Sequence, residues 1–195
     1  MRIIAGSRRS LPLKSLEGDI TRPTLDRYKE TLFNIIQADV PDSTFLDLFA
    51  GSGSVGLEAL SRGARQAVFV DNNKRAVSVI QDNVAFTKFE SQSRVIRMDA
   101  LSYLGGLPTL DFDIIYIDPP YSSGLYADVM RLIAGKPMTP PECRIILEMA
   151  LEDSIDFITD LNAMPGGRVH FELDKIKNYK TNKHVFIHAV RGNDE

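Results

Sequence analysis

From residue 44 onward, short apolar runs alternate with stretches of helical periodicity, and that alternation leaves this chain few architectures to choose from. The runs 44–49, 67–70, 94–98, 113–117 and 144–148 read as strands, and their largely continuous apolar character suits a sheet covered on both faces. Between them, 55–62, 73–87, 100–104 and 125–134 read as helices, which gives the β-α-β-α order of a doubly wound parallel sheet. After Pro165-Gly166-Gly167 the pattern changes. Runs 168–173 and 184–190 read as two antiparallel strands, joined by a basic connection over 175–183. The first forty residues stand outside the alternation, with a short hairpin expected over 2–5 and 11–14 and a helix opening near Pro23-Thr24. Leu25, Leu32, Phe33 and Ile36 give that helix an apolar face, with Arg27, Lys29 and Glu30 expected on its polar side.

A chain of 195 residues can bury most of its apolar surface in one core, so one domain over 1–195 is expected, with 1–40 as an extension and 41–195 as the core. No apolar stretch approaches the ~18 residues of a membrane span, and Arg2, Arg8 and Arg9 surround too few apolar residues for a signal-peptide core. A cytoplasmic location is the expectation. Cys143 is the only cysteine and the three histidines are poorly spaced, so neither a disulfide nor a metal site is expected. The net charge of −3 argues against a generic nucleic-acid binder, but the charge is unevenly spread. Residues 1–16 carry Arg2, Arg8, Arg9 and Lys14 with no acid, and 175–183 adds Lys175, Lys177, Lys180 and Lys183, whereas 100–165 holds ten acids against three bases. Basic chain ends beside an acidic body fit a docking surface for a phosphate backbone; solvated lysines on a hairpin are the plainer alternative.

Two motifs carry the chemistry. The first is Asp47-Leu48-Phe49-Ala50-Gly51-Ser52-Gly53-Ser54-Val55-Gly56, a glycine loop between a strand and a helix. Gly51, Gly53 and Gly56 also satisfy the spacing of dinucleotide-binding enzymes, with Asp71 at the end of the next strand. Asp47 discriminates between ligands: a pyrophosphate is repelled by a carboxylate before the glycines, whereas the ammonium and sulfonium of S-adenosylmethionine are attracted. Asp71 then suits the ribose diol, since a carboxylate accepts two hydrogen bonds. Asp99-Ala100, ending the third strand, suits the adenine, and a helix N-cap is the alternative for Asp99. The second motif is Asp118-Pro119-Pro120-Tyr121, closing the apolar run Ile114-Ile115-Tyr116-Ile117. Each proline fixes its own φ and holds the preceding residue extended, which aims the Asp118 carboxylate and the Pro119 carbonyl at a planar amine that Tyr121 would cover. A bare turn after a strand is the alternative.

Together with Arg2-Ile3-Ile4-Ala5-Gly6, the block from Thr21 to Asn34 that includes Arg22-Pro23-Thr24-Leu25-Asp26-Arg27, and Leu57-Glu58-Ala59-Leu60-Ser61-Arg62-Gly63-Ala64, these motifs resemble the RsmD family in order and spacing from residue 2 to about 135. The resemblance implies the Rossmann-like, seven-stranded class I methyltransferase sheet of α/β type, mostly parallel with an antiparallel C-terminal strand and a small N-terminal hairpin and helix. It implies methylation of the N2 amine of one guanine in 16S rRNA of the small ribosomal subunit by S-adenosylmethionine, the chain acting as a monomer. Asp118, Pro119, Pro120 and Tyr121 are then the catalytic set. Asp47, Phe49, Gly51, Ser52, Gly53, Asp71, Asn72, Asp99 and Ala100 are cofactor contacts, joined by Arg22 and Thr24. Arg2, Arg8, Arg9, Lys14, Arg27, Lys180 and Lys183 are RNA contacts. For Arg22, Thr24 and Arg27, capping of the first helix is the competing reading. The chain departs from the family pattern at Arg9-Ser10-Leu11 and at Leu25. A DNA adenine-N6 methyltransferase and a nucleotide-binding module without catalysis are the rival functions.

Overall fold

The computed structural model describes residues 1–16, 23–120 and 124–192. Strands β1 (Thr44–Asp47), β2 (Gln66–Asp71), β3 (Ser93–Arg97), β4 (Ile114–Ile117), β5 (Glu142–Ala150), β6 (Val169–Asn178) and β7 (Asn182–Arg191) form a seven-stranded sheet in the order β3-β2-β1-β4-β5-β7-β6. Helices α1 (Pro23–Ile35), α2 (Ser54–Ser61), α3 (Lys74–Thr87), α4 (Ala100–Gly106), α5 (Leu125–Ala134) and α6 (Phe157–Asn162) complete it. The chain divides into two compact units, Met1–Asp99 and Ala100–Glu195.

In the first unit β1, β2 and β3 pair in parallel, with Thr44 opposite Gln66 and Ala67 opposite Ser93. Every residue of β1 is buried, as a central parallel strand requires, and Phe45, Leu46 and Phe69 are fully enclosed. Each such side chain stabilises the fold by roughly 1.5–3 kcal/mol relative to exposure. The N-terminal residues make the expected hairpin: Ile3 N donates to Leu11 O, Ser10 N to Ile3 O and Leu13 N to Met1 O, around a 3-10 turn at Gly6–Arg8. Leu32, Phe33 and Ile36 are buried on and just beyond α1, as their spacing predicts. Lys29 is not on the polar side. It is buried, and its ammonium reaches Arg2 O at 2.7 Å and the Glu58 carboxylate at 3.5 Å.

In the second unit β4 and β5 are parallel, β7 is antiparallel to β5, and β6 is antiparallel to β7. Three features depart from the sequence reading. The six-residue α6 was not expected, since Ile158 and Leu161 alone mark its buried face. The strand starting at 168–169 runs on to Asn178 through an irregularity at Leu173/Lys175, so Lys175 and Lys177 belong to β6 and the connection shrinks to 179–181. Charged side chains and a bulge protect such a sheet edge against pairing with another chain, and an exposed edge strand has no need of an apolar pattern. The third is the end of the first strand, which closes at Asp47; Leu48 and Phe49 enter the turn to the glycine loop.

Candidate active site

The glycine loop is held from several sides. Ala50 N donates to Val70 O, and Gly53 N donates to Ala50 O at 2.7 Å, closing a turn in which Gly51 (φ 54°) and Gly53 (φ 76°) adopt left-handed conformations that favour glycine. Gly56 serves packing, because a Cβ there would stand 2.4 Å from the Phe69 ring. The Asp71 carboxylate, at the end of β2, accepts from Gly51 N at 2.9 Å and from Asn73 N at 2.8 Å. The Asn83 side chain donates to Ser52 O at 2.9 Å and the Ser52 hydroxyl donates to the Met1 sulfur.

Asp47 is 1% exposed, and its carboxylate accepts from Gly56 N at 3.0 Å, so it organises the loop from beneath. Burial pushes this carboxyl up to about 7, helped by the charge of Asp71 and opposed by the Gly56 N–H. The folded protein therefore binds a proton at Asp47 more tightly than the unfolded chain, and its stability falls as pH rises from the ordinary carboxyl range towards 7. Asp47→Asn keeps an oxygen for Gly56 N–H and removes this titration. The variant should match wild type near pH 4 and exceed it progressively towards pH 8 in denaturant unfolding; a pH-independent difference would overturn the assignment.

Among the remaining expected cofactor contacts, Phe49 is half-buried, Asn72 is exposed, and Asp99 is exposed immediately before α4, whose first residue, Ala100, is buried. Arg22 and Tyr121 lie outside the described residues, as does the side chain of Thr24.

In the second unit β4 is wholly buried and delivers Asp118 half-buried, Pro119 buried and Pro120 exposed. Beside them stands a polar cluster centred on Glu148 of β5. Its carboxylate accepts from the Tyr116 hydroxyl and from the Asn182 amide (2.6 Å), with His184 Nε2 at 3.1 Å, and the Tyr179 hydroxyl lies 2.9 Å from His184 Nδ1. The Tyr126 hydroxyl donates to the main-chain carbonyl of Glu148. Burial acts to raise the Glu148 carboxyl, but the hydrogen bond and charge of His184, with the bonds from Tyr116 and Asn182, outweigh it and hold the group below its ordinary range.

The family described as conserved hypothetical protein 95 matches residues 1–173. The ribosomal RNA small subunit methyltransferase D of Haemophilus influenzae is 37% identical over 150 residues, covering 76% of this chain and 78% of that protein. The Escherichia coli protein of the same name is 34% identical over 155 residues, covering 80% and 77%. This chain belongs to the RsmD family. Among solved structures, Escherichia coli yhhF superposes with a TM-score of 0.79 at 29% identity, over 98% of this chain and 99% of that one.

The donor set of the RsmD loop fits S-adenosylmethionine on this structure's own terms. Carboxylates end β1 and β2, and Gly51 is half-exposed with open space beside its Cα, since a Cβ there would meet no atom within 4 Å. Of the expected RNA contacts, Arg2, Arg9 and Arg27 line a recess of about 440 Å³ shared with Asp26 and Glu30, and Arg2 pairs with Asp26 at 3.0 Å. Lys14 is exposed and pairs with Asp82, and Lys180 is exposed. One expectation is corrected. Lys183 is buried, and its ammonium donates to Leu151 O and Asp153 O, tying down the loop after β5. Arg8 is half-buried; its Nε donates to Thr87 O at 2.8 Å and its guanidinium lies 5.5 Å from the Phe89 ring centroid, which fastens the hairpin to α3. For Lys183 a charge count does not reveal the inward direction of the side chain.

The reading of the sequence missed Glu58, Asn83 and Glu148. Glu58 interrupts the apolar run Val55–Leu60, and Glu148 sits inside a buried strand; an acid within an apolar element is the signal that marks both. Asn83 in mid-helix is a weaker signal of the same kind.

Proposed function

We propose that this protein transfers a methyl group from S-adenosylmethionine to the exocyclic N2 amine of one guanine in 16S rRNA, within the small ribosomal subunit or an assembly intermediate of it. The observation that carries the reading is the segment Asp118-Pro119-Pro120 directly after a buried strand, in a chain whose relatives are named for small-subunit rRNA methylation. S-adenosylmethionine supplies an electrophilic methyl on a sulfonium. The protein's part is positioning and electrostatics. The Asp118 carboxylate and the Pro119 carbonyl accept the two N–H bonds of the guanine amine, which turns its lone pair outward, and Asp118 or water later takes the released proton. Tyr121 stacks on the base, which must leave its own stack to arrive there. Asp71 accepts from the ribose hydroxyls while retaining Gly51 N–H, and Asp99 with Ala100 meets the adenine. Arg2, Arg9 and Arg27, with Lys14 and Lys180 as outliers, meet phosphates and set a salt-dependent affinity.

The test is transfer of tritiated methyl to small subunits lacking the modification, followed by nucleoside mass spectrometry. N2-methylguanosine is the expected product; N6-methyladenosine would move the protein to the adenine class, and no transfer would overturn the reading. Asp71→Ala is expected to weaken cofactor affinity about tenfold or more, since a charged acceptor and the tether on Gly51 are lost together. An unchanged affinity in calorimetry would remove Asp71 from the cofactor site.

A further inference from the structure

Two tyrosines flank Asp118 in sequence. Tyr116 belongs to β4, two residues before Asp118, and Tyr126 is the second residue of α5, which opens at Leu125. Both phenol hydroxyls end on one residue: that of Tyr116 donates to the Glu148 carboxylate and that of Tyr126 to the Glu148 carbonyl. The carboxylate is itself oriented by Asn182 at 2.6 Å and His184 at 3.1 Å, both on β7, and His184 is backed by Tyr179. β5 is fixed between β4 and β7 by continuous pairing, with Leu147 opposite Ile117 and Glu148 opposite His184.

We propose that Glu148 is a positioning residue for methyl transfer, its side chain holding the end of β4 that carries Asp118 and its main chain holding the start of α5. The inference rests on reading Asp118 as the acceptor for the substrate amine. A carboxylate with only 14% of its side chain exposed is a costly way to fill space, and an apolar side chain would pack β5 without desolvating a charge. What a carboxylate adds is direction. With three donors on two oxygens it can hold the Tyr116 hydroxyl, and thus the end of β4, in one place, and tolerances at a reacting centre are tight: a displacement of ~1 Å costs on the order of 100-fold in rate.

Glu148→Gln keeps the shape and replaces one acceptor by an amide, and Tyr126→Phe removes only the hydroxyl on the other flank. Each is made in the wild-type and Asp118→Ala backgrounds. In the wild-type background, single-turnover methyl transfer to small subunits is expected to fall about tenfold, with calorimetric affinity for S-adenosylmethionine within about twofold. In the Asp118→Ala background the same changes should alter the residual rate by less than about twofold, because the acceptor they position is already gone. Amide exchange at Asp118 and Gly124 should rise, with the strands β5 and β7 unchanged. Wild-type rates, or equal losses in both backgrounds, would overturn the positioning role, since a merely structural network adds its cost to any active site. Should Glu148→Gln not fold, Tyr116→Phe and Tyr126→Phe carry the same test. If Asp118→Ala alone leaves the rate at wild type, the proposed role of Asp118 fails instead, and amide exchange alone decides whether Glu148 holds the end of β4 and the start of α5.

Discussion

Replacing Asp118 by alanine is expected to cut single-turnover methyl transfer by about 100-fold or more, the scale on which losing one acceptor or donor aimed at a reacting group is felt. Cofactor affinity should stay within a few-fold of wild type, because the glycine loop and the Asp71 carboxylate belong to other elements and their bonds are untouched. The asymmetry follows from where the charge is needed. An amine conjugated to a ring is a poor nucleophile until its hydrogens are held by acceptors, and that demand grows as the nitrogen gains positive character in the transition state. An acceptor that matters more there than in the ground state lowers turnover when removed and leaves binding nearly intact. Asp118→Asn should retain a little more activity, since the amide oxygen still accepts one N–H but without the charge. Rates equal to wild type in single-turnover experiments would show that the Asp118 carboxylate has no part in the reaction.

The parts of this protein that were legible in its sequence are those where local pattern and tertiary role agree. Parallel strands covered on both faces must be apolar throughout, so β1 and β4 announce themselves, and a loop of glycines after a strand leaves few alternatives to a tight turn opening a helix. Asp118 was legible because two prolines restrict the backbone whatever surrounds them. What escaped notice is polar structure directed inward. Lys29 falls on the apolar stripe of α1, three residues before Leu32 and four before Phe33, but its charge argues for solvent, and what offsets that charge is an acid 29 residues away in another helix. Lys183 counted as surface charge for the same reason: a sequence shows that a side chain is cationic but not whether carbonyls or water surround it. The edge strand β6 was cut short because an exposed strand with a bulge, carrying Lys175 and Lys177, has neither an apolar run nor strict alternation.

Glu58 carries the largest stability effect expected of a single substitution. It is fully enclosed in α2, and its carboxylate accepts from Ile4 N at 2.7 Å, Ala5 N at 3.0 Å and Arg62 Nε at 2.8 Å, with the Lys29 ammonium at 3.5 Å. Glu58→Ala strips two main-chain donors of their acceptor and leaves Lys29, itself 6% exposed, without its nearest countercharge. Burial already holds the Lys29 ammonium below its ordinary range, against the charges of Glu58 and Asp26 that raise it, so deleting Glu58 pushes the lysine towards its neutral form. Breaking a buried pair on one side costs about 3–5 kcal/mol, a large share of the stability of an ordinary domain. Denaturant unfolding should register a loss of that size for Glu58→Ala, and a smaller one for Glu58→Gln. The double variant Lys29→Met/Glu58→Leu should lose less than the two single changes added together, because the Lys29 ammonium is no longer left without its partner, although Arg62 still loses its acceptor. Additive losses would show that the two residues do not act as a pair. The consequence reaches the site, since Glu58 ties the hairpin at Ile4 and Ala5 to the helix that opens from the glycine loop. In Glu58→Ala protein that remains folded, the loop should loosen with the hairpin, and affinity for S-adenosylmethionine should fall with stability, whereas Asp118→Ala separates the two.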